Sequence, residues 1–108
     1  PVFRGVEGTS ADILRRYGEF SAILAKQGLG IKEITYTARS AWIIVLDNNI
    51  TVRLGRENDI KRLRLFTEAW QHLLRKNKNR LSYVDMRYKD GFSVRYDSDG
   101  LPENESEE

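Results

Sequence analysis

The sequence LSYVDMRYKDGFSVRY, at positions 81–96, has the pattern of a β-hairpin. Apolar and polar residues alternate on both sides of the tripeptide at 89–91, whose Asp-Gly pair favours the positive φ values of a tight turn. Because side chains alternate along a strand, Phe92, Val94 and Tyr96 are predicted to share one face. No strand pattern follows Tyr96. We therefore expect the second arm to be the last strand of a sheet, with an open edge unless an earlier strand covers it.

The remaining patterns predict an α+β fold. Apolar residues at three- and four-residue steps predict a helix over residues 9–27, and a second helix that starts at Asn58 or Asp59 and ends in the polar run 75–80. Residues 1–8 are expected to be a linker or a short edge piece. Strand-like runs lie at 31–39, 42–46, 50–54 and in the two arms of the hairpin. This order predicts one antiparallel β-sheet with two α-helices packed on one face.

Each predicted helix has one apolar stripe, and its members are expected to face the sheet. In the first helix they are Ile13, Leu14, Tyr17, Phe20 and Leu24, and in the second they are Ile60, Leu63, Phe66, Trp70, Leu73 and Leu74. Thr9, three residues before Asp12, is the candidate N-cap of the first helix, with a side chain able to accept a hydrogen bond from a first-turn amide.

Composition bounds the function classes. The 108 residues, 40% of them hydrophobic, suit one small domain with one core. Cysteine is absent, which excludes disulfides and thiol chemistry, and one histidine disfavours a zinc site or a His-based triad. No apolar run has the roughly 20 residues of a membrane span. Because the sequence opens with Pro1 instead of methionine, we expect an excised fragment whose targeting information lies upstream.

Charge is divided between a basic body and an acidic tail. Residues 1–96 carry 18 basic and 10 acidic side chains, a net charge of +8, while residues 97–108 carry six acidic side chains and no basic one. The tail has too few apolar residues to offset the entropy of ordering, so we expect it to be disordered in isolation. The basic body favours anionic partners, which include acidic protein segments, nucleic acid and anionic lipid headgroups.

Three features invite a chemical interpretation, and each has a structural alternative. His72 is more consistent with a surface or boundary position on its helix than with catalysis, because no second histidine or nucleophile lies nearby in sequence. Gly55 resembles part of a phosphate-binding loop but lacks the repeated glycines and the Lys-Ser/Thr pair, so we interpret it as a turn residue. Asp85 is predicted to accept hydrogen bonds or to pair with an arginine on the neighbouring strand.

The strand-associated arginines leave two functions open. Arg39, Arg53, Arg87 and Arg95 lie in or beside strands, where alternation can bring them onto one outward face. They can solvate that face, or bind carboxylates of an acidic partner through bidentate pairs. Tyr88 and Tyr96 add the amphipathic area typical of binding hot spots. The alternative is a basic sheet platform that binds nucleic acid, although the aromatic signature of an RNA-binding sheet is missing.

Four short motifs resemble the bacterial cell-division FtsQ family. They are Trp42-x-x-x-Leu46-x-Asn48-Asn49, Val52-x-Leu54-Gly55-Arg56, Lys61-Arg62-Leu63-x-x-Phe66 and Ser82-Tyr83-Val84-Asp85-x-Arg87-Tyr88-x-x-Gly91-x-x-Val94. Their order and spacing carry the resemblance, which extends back through the first helix and excludes only the acidic tail. It implies a non-enzymatic protein with a cytoplasmic segment, one membrane-spanning helix, a periplasmic POTRA domain and a β domain. Residues 1–96 resemble the larger, C-terminal part of that β domain.

The resemblance also implies partners and a place for them. FtsQ-like proteins hold the divisome at the septum by binding the FtsB–FtsL pair, with a strand of FtsB added to the last β-strand. Together with the edge argument, this gives a predicted partner-binding set of Arg39, Arg87, Tyr88, Asp90, Gly91, Phe92, Arg95 and Tyr96. No cofactor and no catalytic residue are predicted. Tyr96 departs from the tryptophan common at that position in the family, and Asp90 stands where a small polar residue is common.

Overall fold

The computed structural model describes residues 1–97. In chain order the elements are β1 (Val2–Gly5), α1 (Ser10–Ala25), β2 (Ile31–Tyr36), β3 (Trp42–Leu46), β4 (Thr51–Gly55), α2 (Asp59–His72), a 3-10 helix (Leu74–Asn77), β5 (Leu81–Asp85) and β6 (Ser93–Tyr96). The expected disorder of residues 98–108 lies outside the described residues. Within residues 1–97, no helix combines the length and apolar character needed to cross a membrane.

The six described strands form one sheet in the order β1-β2-β3-β4-β5-β6. The α+β fold with a mostly antiparallel sheet and two helices is confirmed. Two of the five strand pairs, β1 with β2 and β4 with β5, are parallel. The sequence pattern did not distinguish these pairs because a strand's apolar alternation is the same in either direction. Residues 2–5, expected as a linker or edge piece, form the edge strand β1.

Both helices lie on one face because of the handedness of their connections. Each parallel pair is joined by a helix, as β1-α1-β2 and β4-α2-β5, and such crossovers are almost always right-handed. The register makes β1 and β4 point the same way, and both crossovers step toward β6. Two right-handed crossovers with the same direction and step place their helices on the same side. The helices contact each other there over a single core.

One apolar row crosses the helix-covered face from edge to edge. Its members, paired in register strand by strand, are Phe3, Ile34, Ile44, Val52, Val84 and Val94. The four central residues are fully buried, Val94 is partly buried against the core, and Phe3 packs its ring 5.1 Å from that of Tyr17. Helix residues Phe20, Leu24, Leu63 and Phe66 cover the row and are fully buried.

The helices depart from the predicted stripes at two positions. Leu14 is 62% exposed and Leu73 is 60% exposed, so neither belongs to the core. Leu14 directly follows the buried Ile13, and the 100° turn between consecutive residues carries its side chain off the sheet-facing stripe. Leu73 lies just past the end of α2, where the backbone leaves helical dihedrals. Thr9 is the N-cap residue as predicted, but its hydroxyl donates to the Val6 carbonyl oxygen (2.6 Å) instead of accepting from a first-turn amide.

The predicted hairpin is present, but its tight turn is wrong. β5 and β6 pair antiparallel, with Val84 opposite Val94 and Asp85 opposite Ser93. Seven residues, 86–92, connect them, so Phe92 precedes the strand. Neither residue of the Asp-Gly pair at 90–91 has a positive φ. Polar contacts of residues 85–88 shape the connection, and these long-range partners were not visible in the local turn pattern.

Replacing Ile44 by alanine tests which face of the sheet packs against the helices. Ile44 is fully buried, whereas its neighbour Ile43 lies half-buried on the opposite face. Ile44→Ala should lower the free energy of unfolding by about 3 kcal/mol, because the deletion leaves a cavity in the core. Ile43→Ala removes the same atoms and should cost less than half as much. Urea unfolding of both variants checks this, and equal losses would contradict the assignment of the faces.

Candidate functional site

The last strand, β6, has one open edge. Among the described residues it pairs with β5 alone and stands at the end of the strand order. This is the geometry expected from the sequence for the closing arm. A strand edge of this kind presents unpaired N–H and C=O groups that another strand can bind.

The backbone groups that face outward can be assigned. The Asp97 N–H donates to the Arg80 carbonyl oxygen (2.6 Å), and the Arg95 carbonyl oxygen accepts from the Ser82 hydroxyl (3.0 Å), so both point toward β5. Backbone groups of successive residues point to opposite edges of a strand. The N–H and C=O groups of Val94 and Tyr96 therefore face the open side. These two residues can hydrogen bond to an added strand without breaking the β5–β6 pairing.

The connection before β6 is held by the ion pair of Asp85 and Arg87. Asp85 is 4% exposed and accepts three hydrogen bonds from Arg87: from its backbone N–H (3.0 Å), its Nε (2.9 Å) and its Nη2 (2.7 Å). The side-chain hydrogen bonds from Arg87 hold the pKa of Asp85 below its ordinary value, although burial alone would raise it. The positive charge of Arg53 also lowers this pKa. The predicted structural role of Asp85 is seen, with an arginine of the same connection as its main partner.

Gly55 and Arg62 fix the same connection from the other side. Gly55 has a φ of +82°, and a Cβ built on it would lie 3.0 Å from the Arg87 Cγ, so the arginine stem packs against bare backbone. Arg62 on α2 donates to the carbonyl oxygens of Met86 (2.5 Å), Tyr88 (3.1 Å) and Glu57 (2.9 Å). These contacts bring residues of the second, third and fourth motifs together. Gly55, predicted as a turn residue where the chain leaves the sheet, is the last residue of β4 and has a positive φ.

An apolar groove lies between α2 and the 86–92 connection, beside β6. It is lined by residues of both elements, among them Leu65, Leu73, Met86 and Phe92. Leu65 is 46% exposed and Phe92 is 36% exposed, which leaves apolar surface in contact with water. Sequence reasoning missed Leu65 and assigned Leu73 to the core. A sequence signal for its exposure was available, because Leu65 lies outside the apolar stripe of α2, on the otherwise polar side of the helix.

The structure brings most of the predicted partner-binding residues together. Tyr88, Asp90, Gly91 and Phe92 lie on the connection between β5 and β6 and are exposed, as are Arg95 and Tyr96 on β6 itself. Asp90, Gly91 and Phe92 also line the apolar groove. Tyr96 is paired with Leu81, and Arg95 lies on the uncovered face with its guanidinium 4.7 Å from the centre of the Tyr83 ring.

Arg39 lies apart from this group. It is exposed in the β2–β3 turn, where its N–H donates to the Thr37 hydroxyl (3.2 Å). The carboxyl ends of β2 and β5 point the same way, so Arg39 and Arg87 share one end of the sheet. β3 and β4 lie between the strands that carry them. Of the four arginines expected on a common outward face, Arg53 and Arg95 lie in neighbouring rows of the uncovered face, and Arg87 reaches that face through its pair with Asp85, the residue in register with Arg53.

Other chemical candidates have structural surroundings. His72 is exposed at the end of α2 and lines the apolar groove, in agreement with the surface position predicted for it. Within residues 1–97, no group of three or more His, Asp or Glu side chains is placed to hold a metal ion. Both buried carboxylates of this range are ion-paired: Asp59 with Arg16, at 2.7 Å, and Asp85 with Arg87. These groups stabilise the fold.

Comparison with known proteins identifies the family. The family model described as "Cell division protein FtsQ/DivIB, C-terminal" matches residues 1–87. The chain belongs to this family of cell-division proteins. The matched region includes the motifs up to Arg87 and ends before the rest of the connection and β6.

Three relatives extend the comparison, and each is named "Cell division protein FtsQ". The protein of Neisseria meningitidis is 88% identical over all 108 residues, and that of Neisseria gonorrhoeae is 85% identical over the same length. The Escherichia coli protein is 38% identical over 97 residues, which cover 87% of this chain. The chain spans 46% of the first relative, 45% of the second and 35% of the third. It therefore corresponds to less than half of each.

Replacing Gly55 by alanine tests the contact with Arg87. The added Cβ meets Arg87 at 3.0 Å, and the φ of +82° is unfavourable for any residue with a Cβ. Gly55→Ala should lower the free energy of unfolding by about 1–3 kcal/mol, as expected for strain at a positive φ. Gly91→Ala is the matched control, since Gly91 has open space and no positive φ. Thermal or urea unfolding measures both, and equal effects would argue against the Gly55–Arg87 contact.

Replacing Asp85 by asparagine should make stability less dependent on pH. The folded pKa of Asp85 lies below its ordinary value of 3.8, so the folded chain binds this proton less readily than the unfolded chain. The stabilisation is fully present above that ordinary value and is lost as pH falls through the folded pKa. Asp85→Asn should therefore be destabilised at neutral pH, with a difference from wild type that shrinks in acid.

Unfolding by urea at a series of pH values measures this difference. Asp90→Asn is the control, because it removes one carboxylate from an exposed position of the same connection. A gap between wild type and Asp85→Asn that stayed constant from about pH 6 to about pH 3 would contradict the role assigned to the ion pair.

Proposed function

We propose that this chain is the partner-binding region of a non-enzymatic divisome scaffold. In this proposal it lies on the periplasmic side of the bacterial inner membrane, at the division septum, and recruits the FtsB–FtsL subcomplex. Membership of the FtsQ/DivIB family supports the role in cell division. The observation that carries the binding mechanism is the open edge of β6.

Strand addition would use the outward backbone groups of β6. Val94 and Tyr96 each offer one N–H donor and one C=O acceptor on the open side, as their alternation with Arg95 and Asp97 requires. A partner strand that pairs with both residues extends the sheet by one strand. Backbone hydrogen bonds of this kind supply affinity and register, while neighbouring side chains supply specificity.

Side chains on both sides of the edge suit a mixed apolar and acidic partner. The groove with Leu65, Leu73 and Phe92 can bury apolar partner side chains next to the added strand. Tyr88 is 55% exposed and Tyr96 is 38% exposed, and both can add contact area. Arg95 extends from β6 itself and can pair with carboxylates of the partner. Arg87 is half-exposed over Asp85, the residue in register with Ser93 of β6, and its exposed part can add to this attraction.

Nucleic-acid binding has weaker support. On the uncovered face, two rows of side chains cross the six described strands, and Tyr83 is the one aromatic residue in those rows. The guanidinium of Arg95 covers its ring. Sheet platforms for single-stranded RNA stack several bases on exposed aromatic rings, and this face does not offer that arrangement.

Proline at position 94 tests the strand-addition mechanism. Val94→Pro removes an N–H that faces the open side, and proline is tolerated on an edge strand when its missing N–H faces solvent. The variant should fold, yet bind the purified periplasmic FtsB–FtsL complex at least about tenfold more weakly, because it loses a backbone hydrogen bond and adds a steric clash. Calorimetric titration measures the affinity, and circular dichroism verifies the fold.

Val94→Ala is the matched control, since it shortens the side chain and keeps the N–H. It should bind with an affinity close to that of wild type. Equal affinities for the proline and alanine variants, with both folded, would refute strand addition to β6. Phe92→Pro is a less direct test, because Phe92 lies on the connection before the strand. Binding to single-stranded DNA that falls steeply with salt would favour the nucleic-acid alternative.

A further inference from the structure

A polar cavity of about 600 Å³ lies at the end of the sheet opposite the 86–92 connection. It is bounded by the end of α1, the β3–β4 turn, the 3-10 helix and the adjoining ends of β5 and β6. Its polar lining includes Asn48, Asn49 and Asn79, the basic residues Arg75 and Lys78, and the acidic residues Asp47 and Asp97. Asn48 and Asn49 belong to the first motif, and the cavity lies away from the apolar groove beside β6.

A basic segment, residues 75–80 (RKNKNR), forms one wall of the cavity. It contains four basic side chains and no acidic one. Arg75, Lys76 and Lys78 are exposed, and the segment is anchored at its start by the buried Leu74. Backbone hydrogen bonds from Lys78 to Arg75 (3.3 Å) and from Arg80 to Asn77 (3.0 Å) fix its path. The basic side chains are thus presented from a defined backbone.

The chain leaves β6 at this same wall. Asp97 lines the cavity, and its N–H donates to the Arg80 carbonyl oxygen (2.6 Å). The next eleven residues, SDGLPENESEE at 98–108, contain five acidic side chains and no basic one. An acidic segment is therefore attached directly beside a basic one.

We propose that the basic segment, residues 75–80, forms a docking site for the acidic C-terminal segment 98–108 of the same chain. Each exposed ion pair contributes little, so a single contact would not hold the segment. Five acidic side chains close to the exposed Arg75, Lys76 and Lys78 provide several such contacts. The covalent connection also makes binding intramolecular, with an effective concentration in about the millimolar range.

Docking has two physical consequences. It neutralises the basic segment, so an acidic partner gains access to these side chains only by displacing the C-terminal segment. It also secures the end of β6 against β5, next to the Asp97–Arg80 hydrogen bond. The interaction is sensitive to salt, because exposed ion pairs are screened. It does not depend on the proposed binding of FtsB and FtsL.

Paramagnetic broadening in the full 108-residue chain tests the proposal. Because the chain has no cysteine, Ser106→Cys allows one nitroxide label on the C-terminal segment. The amide signals of residues 75–80 should lose most of their intensity and regain it when the label is reduced or when salt is raised to about 0.5 M. Signals of Lys61 and Arg64, which lie on α2 and outside the cavity lining, serve as internal controls.

A second labelled chain separates charge recognition from mere proximity. It carries Asp99→Asn with Glu→Gln at 103, 105, 107 and 108, which keeps the covalent connection and removes the charges. Broadening at 75–80 should then fall markedly. In the converse variant, Arg75→Gln with Lys78→Gln should also reduce it, while Lys61→Gln with Arg64→Gln should not.

Two results would overturn the proposal. One is equal broadening at 75–80 in the charged and neutralised chains, which would show proximity without recognition. The other is broadening that disappears when a labelled chain is diluted with unlabelled, isotope-enriched chain, or that transfers to the unlabelled molecules. That result would mean that the acidic segment binds a second copy.

Discussion

One apolar residue from each of the six described strands lies in a single row across the helix-covered face of the sheet. This row constrains the register of all five strand pairs, because a slip by one residue would turn a strand's apolar set toward water. It also determines the geometry of β6. With Val94 in the row, Arg95 must lie on the uncovered face, beside Tyr83. Core packing therefore determines which backbone groups of β6 face its open edge.

The elements that the sequence predicted well are those fixed by local periodicity. Both helices, three of the strand runs and the existence of the hairpin follow from apolar spacing that depends on near neighbours alone. Leu14 and Leu73 show the limit of this reasoning, because a leucine adjacent to an apolar stripe has the same pattern whether it is covered or exposed. β1 was only weakly indicated, since its four residues are all exposed and each pairs with a residue of β2 that is 31 positions away in sequence.

The hairpin connection shows why part of the site could not be predicted. Its Asp-Gly pair favoured a tight turn, yet β5 already ends at Asp85 and β6 begins only at Ser93. The Asp85–Arg87 pair and the hydrogen bonds from Arg62 hold residues 86–88 instead. Arg62 comes from α2, so this constraint is tertiary and outweighs the local turn preference. The apolar groove arises from the same arrangement, because a longer connection extends beside α2 and leaves Leu65 and Phe92 facing a common space.

An exposed strand edge carries a risk of unwanted pairing, and features of β6 limit that risk. The strand is only four residues long, it carries the charged Arg95, and a register irregularity lies opposite it in β5, between Leu81 and Tyr83. Short length, charge and bulges are the features by which natural sheets avoid edge-to-edge aggregation. Two outward-facing residues provide too few hydrogen bonds for stable pairing with an arbitrary strand. In the proposed strand addition, a specific partner would therefore need side-chain contacts in the groove or with the arginines in addition to the edge itself.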